Sequence, residues 1–243
     1  MKNGLKIFSI IAILVVLFIM NSFVGNPISK ELVRNSADKY LDKNYSDINF
    51  EKSEVVYNFV NRTYTVFVQD KKSIDNKFEI GFDSLGRLKY DTSSDILFNT
   101  FIRYEEFIKK YGKQIENREN TNYEINLSIA DEDYHNKIKL NDEINIDKFP
   151  FNVDANIYAF AEEPSYDLAL ANLKNLMNIL DKEPLNINNY SIILVPEKDR
   201  AKNNEAQSWA NALTIFDIPS DFMKKSSVED LKKHQEKMHN AKI

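Results

Sequence analysis

The chain has no cysteine, which excludes disulfides, thiol catalysis and thiolate metal sites together. It also excludes lipid attachment through a cysteine placed after an apolar leader. Histidine is scarce at three residues, glycine at five, proline at six and tryptophan at one. So little glycine and proline argues against long flexible linkers and collagen-like repeats. No internal repeat of 20–50 residues is visible either. Neither Gly-x-Ser-x-Gly, His-Glu-x-x-His nor a glycine-rich phosphate loop occurs, and no glycine at all follows Gly112. An excess of positive charge is missing too. Residues 27–120 carry 16 Lys+Arg and 16 Asp+Glu, while residues 121–243 carry 14 and 21, a net −7. An acidic second half argues against nucleic acid, which needs a basic face, and against that half lying on anionic lipid.

What is present begins with one long apolar run. Ile7 to Val24 holds 18 residues without a charge. As a helix it spans about 27 Å, close to the thickness of a hydrocarbon core. A cleaved leader has a shorter apolar region and small residues before the cut, and Ser22-Phe23-Val24-Gly25-Asn26 offers no such pattern. The run therefore reads as an uncleaved single-pass anchor. Lys2 and Lys6 precede it without an acid, so the tail is expected on the cytoplasmic side and everything after Gly25 outside. Beyond the anchor, 43% hydrophobic and 28% charged residues over the whole chain are the proportions of a folded protein rather than a disordered one.

Periodicity organises the rest. Leu32, Val33, Ala37, Tyr40 and Leu41 repeat at helical spacing after Pro27, which suits a first helical turn. Val55, Tyr57 and Phe59 alternate, as do Tyr64, Val66 and Val68, with a short hairpin loop at residues 61–63 between the two runs. Phe78, Ile80 and Phe82 alternate again, Asp83 to Gly86 reads as a turn, and residues 87–90 return. Leu97, Phe101, Tyr104, Ile108 and Tyr111 mark a helix over 94–111, opened by Ser94 and stopped by Gly112. In the second half, Tyr123 to Ile129 and Val153 to Ala161 alternate as strands, and Ser165 to Lys182 is helical. Ile192 to Val195 is a short central strand, 206–216 a last strand, and Ser226-Ser227-Val228-Glu229 a capping box opening a terminal helix.

The chemistry-bearing residues do not form a catalytic constellation. His234 and His239 lie about 140° apart around a helix, a poor arrangement for one metal. Asp131, Glu132, Asp133 and His135 are the only dense polar cluster, and Asp131, Asp133 and His135 are the candidate metal ligands. A calcium loop needs a turn glycine, which this segment lacks, so a solvated acidic loop is the competing reading. Glu162 and Glu163 resemble a general acid/base pair, yet adjacent strand residues point to opposite faces and acids favour a helix start. No cofactor is implied. The 16 Phe and 12 Tyr fit core and sheet surface, with peptide or glycan stacking as the functional alternative.

The anchor, Gly25-Asn26-Pro27-Ile28-Ser29-Lys30, the Ala37-Asp38-Lys39-Tyr40-Leu41 helix and the Val55-Val56-Tyr57-Asn58-Phe59 strand together resemble the YfjL-like proteins over roughly residues 1–90. These are uncharacterised membrane-anchored proteins of low-GC Gram-positive bacteria. The resemblance implies an N-terminal α+β domain, a second domain after it and an extracytoplasmic location, and it brings no catalytic residues. A helix followed by a meander is also similar to cystatin-like and PepSY-like modules, some of which bind or restrain peptidases.

The expectation is an α+β protein: a tail and transmembrane anchor over 1–26, then two small domains over 27–120 and 121–243, each an antiparallel sheet packed with helices. Its expected role is a non-enzymatic binding module of the cell envelope, with an envelope protein or peptide as partner and the membrane held through residues 7–24. The alternatives are an anchored hydrolase or metal-dependent enzyme and a peptidase-regulating module.

Overall fold

A computed structural model of the protein describes residues 24–131 and 133–240. The expected anchor lies outside these residues except for Val24, as does Glu132 of the acidic cluster. Among the described residues no helix is long and apolar enough to cross a membrane. The chain divides into two compact units, one running to Thr100 and including Lys139–Asn141, the other holding Phe101–Ile138 and everything from Asp142.

The first unit opens with α1 (Pro27–Asn44). Asn26 caps it, its side chain accepting the Ile28 N–H at 2.8 Å, and Pro27 takes the first turn where no N–H is needed. Five strands follow: β1 (Phe50–Lys52), β2 (Val56–Asn58), β3 (Thr63–Asp70), β4 (Lys77–Phe82) and β5 (Leu88–Asp91). β3, β4 and β5 form an antiparallel meander, and β1 and β2 both pair with β3. The expected first strand is confined to β2, and β1 is an additional strand that the alternation does not mark. Between the two the Ser53 hydroxyl accepts the Phe67 N–H at 3.0 Å, so a side chain replaces a ladder bond. α1 buries Val33, Ala37 and Leu41 against Tyr64, Val66, Val68, Phe78, Ile80 and Phe82, the alternating set read from the sequence. Phe59 departs from that set: β2 ends at Asn58, and Phe59 lies 54% exposed at the hairpin tip. The turn at 83–86 is as expected, with Gly86 at φ +75°.

α2 (Leu97–Glu119) starts later and ends later than its apolar spacing indicates, after a 3₁₀ turn at Ser93–Asp95. Gly112 does not stop it. A Cβ there would come within 3.0 Å of the Ile125 carbonyl oxygen and the Leu127 side chain, so this glycine lets the helix lie directly on a strand. From Phe101 the helix belongs to the second unit, whose core takes Ile108 and Ile115. The boundary therefore falls at Thr100 rather than at residue 120, because the helix's apolar stripe is buried by the strand that follows it.

The second unit holds a four-stranded sheet in the order β6 (Glu124–Ile129), β7 (Asn152–Ala161), β8 (Asn186–Pro196), β9 (Leu213–Pro219). It is not wholly antiparallel. α3 (Tyr166–Leu180) carries the chain from the end of β7 back to its start, so β7 and β8 pair in parallel. β8 is central, in keeping with its apolar run. One sheet face, with Leu127, Ile157, Ile192 and Ile215, packs on α2, on Leu173 and Leu176 of α3, on Met223 of the short α4 (Ser220–Met223) and on Leu231 of α5 (Val228–Asn240). The last strand begins at Leu213, not 206. Residues 206–212 form a loop, and its Trp209, 55% exposed, packs on Tyr158 at 5.8 Å between ring centroids. The capping box sits one residue later than the sequence reading, with Ser227 and Asp230 exchanging side-chain-to-backbone bonds at 3.3 and 2.9 Å.

Candidate ligand groove on the first sheet

Strand alternation sorts the first sheet into two faces. α1 covers the face that carries Tyr64, Val66 and Val68, so Thr65, Phe67 and Gln69 point the other way. On this second face Gly81 leaves room for a tyrosine: a Cβ would sit 2.1 Å from the Tyr90 ring, whose hydroxyl meets that of Thr65 at 3.0 Å. Beyond Tyr90 the face opens into a groove of about 690 Å³. Its floor is Phe67, Gln69, Lys77 and Glu79, one wall is Glu51 of the edge strand β1 with Ser53 just after it, and the other is Asp95, Phe98 and Asn99. Phe67 and Phe98 are 45% and 42% exposed, two large apolar surfaces in a ring of mixed charge.

The far wall is held by polar bonds. The Asn99 amide donates to the Lys77 carbonyl at 2.8 Å and to the Asp75 carbonyl at 3.0 Å, and the Glu79 N–H donates to the Thr92 hydroxyl at 2.9 Å. Asp75 is buried and accepts the Thr100 hydroxyl at 2.7 Å, while its own N–H donates to the Asn141 side chain at 3.0 Å. This network explains why the short segment 139–141 belongs to the first unit.

A second polar cluster lies at the C-terminal end of α1. Asp91 accepts the Tyr40 hydroxyl at 2.6 Å, the Tyr45 hydroxyl at 3.1 Å and the Ser93 N–H at 2.6 Å. Burial pushes the Asp91 carboxyl up, but these donors outweigh it and hold the group below the usual carboxylate range. Tyr40 is pushed well above its ordinary value, first by its bond to Asp91 and then by burial. Tyr45 is raised by burial and by the Asp91 charge.

The residues singled out for chemistry are dispersed or occupied. Asp131 forms an ion pair with Lys137 at 2.7 Å and accepts the Asn152 N–H at 2.7 Å. Burial raises its carboxyl, and those two partners bring it below the carboxylate range. Asp133 and His135 are exposed; the Asp133 carboxylate accepts the His135 N–H at 3.2 Å, and the His135 ring stacks on Tyr134. Among the described residues no three His, Asp or Glu side chains are grouped so as to hold a metal ion. Buried Tyr134 and Ile138 fasten this acidic segment to the protein, which its composition gave no reason to expect. Glu162 and Glu163 are exposed beyond the end of β7. His234 bonds the Phe216 carbonyl at 2.8 Å, and His239 is exposed. The groove was not read from the sequence, although two signals carry it. Phe67 sits on the polar side of an alternating strand, and Phe98 lies off the apolar stripe of its helix.

The fold defines a two-unit α+β protein whose first unit is a helix packed on a meander with one open face. Residues 1–92 match the family model of the YfjL-like N-terminal domain. No curated protein matches the chain, and no solved structure does.

Proposed function

We propose that this chain is a single-pass, membrane-anchored interaction protein of the cell envelope, held through residues 7–24 with its tail cytoplasmic and both α+β units outside. Its first domain binds an extended segment of a protein partner in the groove between Phe67 and Phe98. The observation that carries this reading is the groove itself. It is an open channel beside an edge strand, with apolar anchors for side chains and Lys77, Glu51, Glu79 and Asp95 around them. An edge strand offers backbone partners to an added strand, and neighbouring pockets select its side chains. The uncharged run and the lysines before it support the anchoring.

A photo-crosslinking amino acid in place of Phe98 or Phe67, in intact cells, should yield one discrete adduct. The same group at Lys110, on an exposed part of α2, should not. Equal and diffuse labelling at all three positions would remove the groove from the proposal. The enzymatic alternative makes a different prediction: calcium, magnesium or zinc should raise the melting temperature, and the double change Asp131→Asn with Asp133→Asn should abolish that rise.

A further inference from the structure

We infer that the end of the first domain formed by the β2–β3 and β4–β5 turns dips into the bilayer surface beside the anchor. This rests on the anchoring proposed above and adds a second, independent lipid contact. The point of entry is fixed by the fold. Gly25 has φ +81°, and a Cβ there would lie 2.7 Å from the Tyr57 side chain. The next residue, Asn26, donates its N–H to the Tyr64 hydroxyl at 2.9 Å. Tyr57 and Tyr64 are paired across the β2–β3 hairpin, so the apolar run ends against the base of that hairpin. The tip starts two residues beyond Tyr57, at Phe59.

Register brings a second turn to the same end. Tyr64 pairs with Phe82, so the turn at 83–86 lies beside the β2–β3 tip. Val60 is 79% exposed, Leu85 63%, Ile28 72% and Val24 58%. Four large aliphatic side chains thus stand in water at the one end of this unit where the apolar run arrives. Half-buried Tyr57 behind them suits the headgroup level, where amphipathic rings collect, and Arg62 at the tip can reach lipid phosphates. The continuity with the run ending at Val24 selects a bilayer as the occupant.

The absence of cysteine makes the test clean. Val60→Cys, Leu85→Cys and, as a reference, Ile74→Cys would each carry one environment-sensitive fluorophore on the full chain in phosphatidylglycerol/phosphatidylethanolamine vesicles. Ile74 follows the opposite end of β3 and is 60% exposed. At about 3.3 Å per residue it lies roughly 25 Å from the tip. Labels at 60 and 85 should be blue-shifted and quenched several-fold more by a nitroxide in the upper acyl chain than the label at 74, which iodide should quench instead. Iodide quenching at all three positions, with the chain resisting carbonate extraction, overturns the inference and leaves the anchor standing. Release of the chain by carbonate overturns both. Shielding of position 60 from nitroxide and iodide alike means that protein covers the tip, and it overturns the lipid contact.

Discussion

At Asp91 one carboxylate collects donors from Tyr40 on α1, from Tyr45 just after it and from the Ser93 backbone. Hydrogen bonds to a charged group contribute about 1.5–3 kcal/mol each in favourable cases, and losing the charge weakens all of them together. Asp91→Asn should therefore lower stability at pH 7 by about 1–3 kcal/mol in urea melts. The pH dependence has a defined sign. The folded value of Asp91 is depressed, so its contribution is complete above the unfolded value of about 3.9 and is lost as pH falls through the folded value. Tyr40 and Tyr45 are raised, so theirs is complete below about pH 10 and is lost as pH rises through the folded values. The stability gap between the protein and the Asp91→Asn variant should be flat between those limits and close on the acid side. A gap that persists at low pH would place the effect in packing instead. None of this was legible in the sequence, because Tyr40 and Asp91 are 51 positions apart and meet only through the fold.

Helices and strands were largely legible, and their misreadings share a cause. Gly112 is a helix stop by local rules and a contact point in the structure. Replacing it by alanine gains about 1 kcal/mol of helix propensity but sets a Cβ against a backbone carbonyl that can shift little. Gly112→Ala should come out near neutral, while Gly112→Leu should destabilise by about 1–3 kcal/mol through overpacking. A stabilising Gly112→Leu, read by thermal melting, would mean that the helix does not lie on β6 so closely. α5 gives a gentler test. Ser227→Ala removes a cap and should cost about 1 kcal/mol, with faster amide exchange confined to the first turn of that helix. The parallel β7–β8 pair was missed for a related reason. Alternation names the buried face of a strand but carries no direction, and only the crossover through α3 sets it.

At the scale of the molecule, two separate apolar clusters are found among the described residues, one around Ile80 and one around Leu173. Both side chains are fully buried. Ile80→Ala and Leu173→Ala should each cost about 2–5 kcal/mol, and the double variant should cost their sum within about 0.5 kcal/mol, since they share no neighbours. Coupling well beyond that in denaturant melts would mean that the two clusters unfold as one core. At this scale the sequence determined the class of structure: α+β, cysteine-free, with a single long apolar run at its start and alternating segments after it. Hydrophobic periodicity is a local property of the chain, so it could specify which face of each element is buried. The tertiary structure decided what lies between elements. It gave α2 from Phe101 onward to the second core, drew residues 139–141 back to the first unit, and set Phe67 and Phe98 across one groove. These are pairings between positions far apart in the chain. Each is fixed by which surfaces fit when the elements pack, and no local pattern encodes that fit.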